Sequence, residues 1–176
     1  MIQKRDNTFE TNSSSTHTLT LNSRILRPSG LTVDKNDIII IDLKEFGCSG
    51  EVKSQEDKLA WCILQAQCDA DVWLDPWEDD YYDEDDLIDE DDEIIDYDET
   101  DIAWRHNEFI DSDIFKWMSE QICAYTGAKG MKFKMGTKGY IDHQSMYSSI
   151  HEFLEEMGVG LLEFIFGDMY LTLDRD

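Results

Sequence analysis

The sequence predicts an α+β fold with a mixed or antiparallel sheet, about three helices and an acidic amphipathic helical segment. Three observations carry that prediction. Strand-like runs lie near both ends of the chain, helix-like runs lie between them, and 41% hydrophobic and 11% aromatic residues are enough for a packed core. The 176 residues suit one ordinary domain. Residues 1–176 therefore read as a single domain, with 69–101 as an acidic insertion or protruding segment.

The first 52 residues read as β-rich. His17-Thr18-Leu19-Thr20-Leu21 alternates polar and apolar, as a half-buried strand does. Asp37 to Leu43 holds four consecutive isoleucines and suits a buried strand. Gly47 and Gly50 then mark a loop. From Ser54 to about Cys68 a helix is expected. Ser54-Gln55-Glu56-Asp57 has the form of a capping box, and Leu59, Trp61, Cys62, Leu64 and Ala66 form a broad apolar face.

A second helix is expected from about Ser112 to Tyr125, burying Ile114, Phe115, Trp117, Met118 and Ile122 and stopping at Gly127. Met131 to Met135 alternates as a strand. Gln144 to Met157 reads as a third helix closed by Gly158. Leu161–Phe166 and Met169–Leu173 read as a closing hairpin about Gly167-Asp168.

The formal net charge is −25, and it is unevenly placed. Residues 69–101 contain 19 Asp and Glu and no Lys or Arg; the flanking bases are Lys58 and Arg105. Outside that window 21 acids face 15 bases, a net of −6. Such a segment repels free nucleic acid, because binding phosphates requires Lys and Arg. Its apolar residues come in pairs, Tyr81-Tyr82, Leu87-Ile88 and Ile94-Ile95. The last two pairs are seven residues apart, which places them on one helical face. The spacing predicts an amphipathic acidic helix over roughly Asp83 to Tyr97, docked by Leu87, Ile88, Ile94 and Ile95. Asp79 or Asp80 would favour its N-terminus through the helix dipole.

As continuous helix the window would span about 50 Å, with roughly one charge per 2.6 Å. Duplex DNA carries about one per 1.7 Å and a single strand about one per 3.4 Å. The expected partner is therefore a basic protein surface that normally holds nucleic acid. The expected contact residues are Asp79, Asp80, Asp83, Glu84, Asp85, Asp86, Asp89, Glu90, Asp91, Asp92, Glu93, Asp96, Asp98 and Glu99. Trp73, Trp77, Tyr81 and Tyr82 would either join that contact or tie the window to the core. The competing reading is a solvated acidic face. The window lacks the Gly that an EF-hand loop needs, which leaves weak, nonspecific divalent binding as the minor alternative.

Candidate chemistry elsewhere is sparse. Ser13, Ser14, Ser15 and His17 bring hydroxyls beside an imidazole, but a Ser–His pair also needs a third group to orient the base. Asp142, His143 and His151 would form a carboxylate–histidine acid–base or metal group if one helix carried both histidines. Cys48, Cys62, Cys68 and Cys123 contain no C-x-x-C pair, and reduced thiols are expected. No catalytic residue, metal or cofactor is assigned. The start, Met1 to Asp6, has no apolar stretch behind it, and no run of about 18 apolar residues occurs, so neither signal peptide nor membrane span is expected. The expected location is the cytoplasm.

Thr8-Phe9-Glu10-Thr11-Asn12-Ser13-Ser14-Ser15-Thr16-His17-Thr18 resembles the opening of a group of small proteins from phages and gut Firmicutes that begin with an E-T-N-S-S-S-x-H stretch. Glu45-Phe46-Gly47, Glu56-Asp57-Lys58-Leu59 and Tyr140-Ile141-Asp142-His143 look like the same group. The resemblance covers the outer parts of the chain, and 69–101 looks like an elaboration. In size and charge the chain is also similar to small acidic phage proteins that inhibit CRISPR nucleases by imitating DNA. That resemblance implies an anti-CRISPR-like inhibitor acting on a Cas9-type nuclease in the host cytoplasm. The alternatives are a small enzyme using His17 or the Asp142/His143/His151 group, and an acidic binding or solubility module.

Overall fold

A computed structural model gives the fold and describes residues 8–10, 16–20, 30–47, 49–74, 99–142 and 145–174. In chain order the strands are β1 (Thr8–Glu10), β2 (Thr16–Thr20), β3 (Ile38–Ile41), β4 (Glu45–Phe46) and β5 (Gly50–Val52). Helices α1 (Gln55–Gln65), α2 (Gln67–Ala70), α3 (Glu99–Asp111) and α4 (Asp113–Thr126) follow. The chain closes with β6 (Gly130–Phe133), β7 (Tyr140–Ile141), α5 (Ile150–Met157), α6 (Leu161–Phe166) and β8 (Tyr170–Asp174).

The strands form three small sheets. One is antiparallel in the order β1-β2-β8-β5, and β3-β6 and β4-β7 are parallel pairs. The fold is thus mixed α+β, with six helices among the described residues where about three were expected.

Helix α1 lies at the centre. Lys58 through Gln65 are all buried, so the helix is enclosed on every side, as one apolar all round its cylinder must be. Its start follows the predicted capping box. Ser54 Oγ accepts from the Asp57 amide at 3.0 Å, and Asp57 Oδ2 accepts from the Ser54 amide at 3.2 Å. Trp61 lies between Phe46 and Phe153, with ring centroids 5.3 and 6.2 Å away. Helix α4 begins and ends where expected. Ser112 Oγ accepts from the Phe115 amide at 3.2 Å, and Gly127 closes the helix in the left-handed region at φ 80°.

Several expectations are corrected. Leu161–Phe166 is helix, not the first strand of a hairpin. A six-residue apolar run fits either state, and here Leu161, Phe164 and Ile165 share one buried helical face. Gly167 then passes so close to the Glu163 carbonyl that a Cβ would lie 2.4 Å from it. Strand β8 pairs instead with β2 and β5. The helix expected from Gln144 begins only at Ile150, where Ser149 Oγ caps it by accepting from the Glu152 amide at 3.0 Å. Strand β3 buries only Ile39 and Ile41, because one face of its two-stranded sheet is left partly open. Strand β6 ends at Phe133, before a turn at Gly136 with φ 68°. Helix α3 was not anticipated. No described helix is long and apolar enough to cross a membrane.

Candidate partner-binding segment and the surface around it

Of the expected contact residues, only Glu99 falls on a described element, as the first residue of α3. Asp79, Asp80, Asp83, Glu84, Asp85, Asp86, Asp89, Glu90, Asp91, Asp92, Glu93, Asp96 and Asp98 lie outside the described residues. So do the predicted acidic helix over 83–97, Trp77, Tyr81 and Tyr82.

Both ends of the window are fixed. On the entry side, Val72 and Leu74 are buried, and Leu74 donates its amide to Gln67 Oε1 at 2.7 Å. The Val72 amide bonds the Gln67 carbonyl at 3.3 Å. On the exit side, Ile102 and Phe109 of α3 are buried. The two sides are tied together by Arg105, whose Nη1 donates to the Trp73 carbonyl at 3.0 Å. The first base after the acidic run therefore holds its two roots side by side. Asp69, at the start of the run, accepts the Ile150 amide at 2.7 Å and satisfies an orphan donor of α5.

The body treats charge differently. Lys132, Lys134 and Lys129 on and around β6 reach across to Asp34, Asp42 and Asp37 at 2.7, 2.7 and 2.8 Å. Lys44 pairs with Asp57. The Lys132 ammonium, with the amides of Ile38 and Asn36, holds the Asp34 carboxyl down at about 2. Lys134 likewise lowers Asp42. Lys58 is buried and donates to the Gly167 carbonyl at 2.7 Å, where it complements the C-terminal end of α6. Burial lowers its pKa, and burial raises that of the Cys62 thiol one turn on. These lysines are committed locally and form no continuous basic stripe for nucleic acid.

The alternative catalytic groups are placed as follows. His17 is in β2, opposite Leu173 of β8. Ser13, Ser14, Ser15 and His143 lie outside the described residues. Asp142 follows β7, its amide bonded to the Phe46 carbonyl at 2.9 Å. His151 is exposed on α5, its ring 4.7 Å from that of Trp117. Because α5 starts at Ile150, one helix does not carry both His143 and His151, and the spacing argument that joined them fails. Among the described residues no group of three His, Cys, Asp or Glu side chains is placed to hold a metal ion.

Sequence reasoning missed His106. It is 7% exposed on α3 and stacks on Phe133 with centroids 4.2 Å apart and planes 13° apart. The ring hydrogen-bonds the Thr137 backbone in a way that favours its protonated form, so the ring is the donor, while burial lowers its pKa more strongly. Its Nε2 has no partner among the described residues. The contact with the Thr137 backbone is therefore assigned to the other ring nitrogen, Nδ1. His106, Ala103, Asn107 and Ile110 form one wall of an open groove of about 750 Å³; Ile40, Phe133 and Met135 contribute to the rest. The spacing of Ile102, His106, Phe109 and Ile110 was the available signal for this helix face.

Compared with protein families, curated proteins and solved structures, the chain matches none.

Proposed function

We infer that the protein binds a basic, nucleic-acid-holding surface of another protein and occupies it in place of nucleic acid. The observation that carries this reading is the run of 19 acids without a base over residues 69–101. Its charge per length falls in the range of nucleic acid if the run is extended as helix. The rooted ends support it as well, since Leu74, Ile102 and the Arg105–Trp73 bond anchor the described residues at either end of the run to the body. The paired lysines of the body add to the case, because they compete little for the window's carboxylates. The resemblance to small acidic phage inhibitors extends the reading to a Cas9-type nuclease, whose channel for the guide–target duplex is positively charged.

Two polyanions cannot share one basic channel without a like-charge cost. Binding to such an enzyme should therefore be competitive with its nucleic acid and should weaken with salt, mainly through slower association. The test is a titration of the protein into a Cas9-type nuclease, free and saturated with target DNA, at two salt concentrations. Exclusion by DNA supports the reading. Equal affinity for the free and DNA-loaded enzyme overturns it, and no binding at low salt refutes the assignment to that enzyme.

A further inference from the structure

The acidic window ends inside a helix. Its last residues, Glu99 to Asp101, are the first of α3, so the helix carries the base-free run onto the body of the protein. Asp101, Trp104, Glu108 and Asp111 follow one another at intervals of three, four and three residues, and all four are exposed. At about 100° per residue they fall within an arc of roughly 80°, a stripe about 15 Å long. It is turned away from the side that buries Ile102, His106 and Phe109. The stripe itself holds no base. Arg105 lies on a neighbouring face of the helix and donates to the Trp73 carbonyl. Lys116, beyond the helix end, donates to the Asp111 carbonyl and sits 3.9 Å from the Asp113 carboxylate.

Trp104 stands within this stripe with 61% of its surface in water. Asp101 and Glu108 are three and four positions from it, the spacing at which helical side chains are neighbours. The negative face of an indole attracts a cation, and carboxylates on either side add to the attraction. Of the two basic side chains, the guanidinium suits this surface better. It is planar, stacks on aromatic faces, and presents N–H groups at its edge that reach carboxylates, whereas an ammonium is a compact and strongly hydrated point charge. Trp and Arg are also the residue types most enriched at binding hot spots. We propose that the exposed stripe of α3 docks an arginine-bearing segment of the basic partner, one guanidinium stacking on Trp104 between the carboxylates of Asp101 and Glu108. This rests on the reading of the acidic run as a partner-binding segment and deepens it. The run supplies charge, which attracts lysine and arginine alike, and Trp104 supplies the selection for arginine.

The test uses the full chain labelled with ¹⁵N in its five tryptophans, whose indole N–H signals report each ring separately. The Trp104 signal is the one lost in Trp104→Leu. Hexa-arginine and hexalysine peptides are titrated at one salt concentration. Hexa-arginine should shift the Trp104 signal and bind about two- to fivefold more tightly than hexalysine, the scale of one exposed cation–π contact. Trp104→Leu should lose that advantage while melting as wild type does, because the ring is exposed, and Trp104→Tyr should keep part of it. An unmoved Trp104 signal, equal binding of the two peptides, or an arginine advantage that survives in Trp104→Leu overturns the proposal. A variant with Asp89, Asp91 and Asp92 changed to Asn and Glu90 and Glu93 to Gln separates this inference from the reading it rests on. It should bind both peptides more weakly and still prefer hexa-arginine. Unchanged binding with the preference kept would refute the acidic run and uphold the stripe, and weaker binding in a protein that never preferred arginine would do the reverse.

Discussion

The β3–β6 flank and the acidic window carry charge in opposite ways. On the flank, Lys129, Lys132 and Lys134 each meet one aspartate across a parallel strand pair, and the field they make is local and nearly cancelled. In the window, 19 acids have no base within the run, and the nearest base after it, Arg105, donates to a carbonyl at the window's root. The flank teaches that an acidic protein can balance its body with few lysines. The window's charge then stands as a separate feature, because no base within the run cancels it.

The comparison breaks most visibly if the window is neutralised. Changing Asp89, Asp91 and Asp92 to Asn and Glu90 and Glu93 to Gln should lower affinity for a basic partner or a lysine homopolymer by at least about tenfold at low salt. The melting temperature should hold or rise, since like-charge repulsion is relieved. Unchanged affinity would return the window to a solvated acidic face.

A smaller effect is expected at the root. Arg105→Ala removes a charged donor from the part-buried Trp73 carbonyl and should destabilise the fold by about 1.5–3 kcal/mol. Hydrogen exchange at Leu74 and along the first turn of α3 should rise more than exchange in α1. Uniform acceleration over the whole core would show that Arg105 does not act locally.

Smaller still is the flank. Lys134→Ala leaves an exposed pair partner in water and should move the melting temperature by no more than about 2 °C. A larger drop would mean that Lys134, which borders the groove beside Met135, contributes packing as well as charge.

The smallest effect is a slope with pH. Asp34 ionises at about 2 in the folded state, against an ordinary value of 3.8. The folded pKa is the depressed one, so its contribution is complete above 3.8 and is lost as pH falls from there toward 2. Asp42, lowered by Lys134, acts in the same direction. Asp34→Asn should flatten stability against pH in that interval and leave it unchanged near neutrality. An equally steep acid limb in the variant would place the linkage elsewhere.

Some elements were legible because their signals are local. The Ser54–Asp57 capping box, the helix start near Ser112 and the glycine stops at Gly127 and Gly158 depend on residues within one turn, and the structure has them as read. Others were not, because their signal is ambiguous without neighbours. Leu161–Phe166 is equally apolar as strand or helix, and the choice fell to helix where β8 found partners in β2 and β5. Helix α3 was hidden because its apolar stripe is narrow and much of its surface is polar.

The chain's order of residues determined that 69–101 concentrates acid, that no base dilutes it, and that α1 would begin at Ser54. Each of these is a property of composition or of contacts a few residues long. Only the tertiary structure decided that Lys132 faces Asp34 across 98 positions, that Arg105 closes on Trp73, and that His106 stacks on Phe133. Those pairings join segments distant in sequence, and no local propensity encodes them. They follow from which faces α1 must bury and from the strand register that burial imposes.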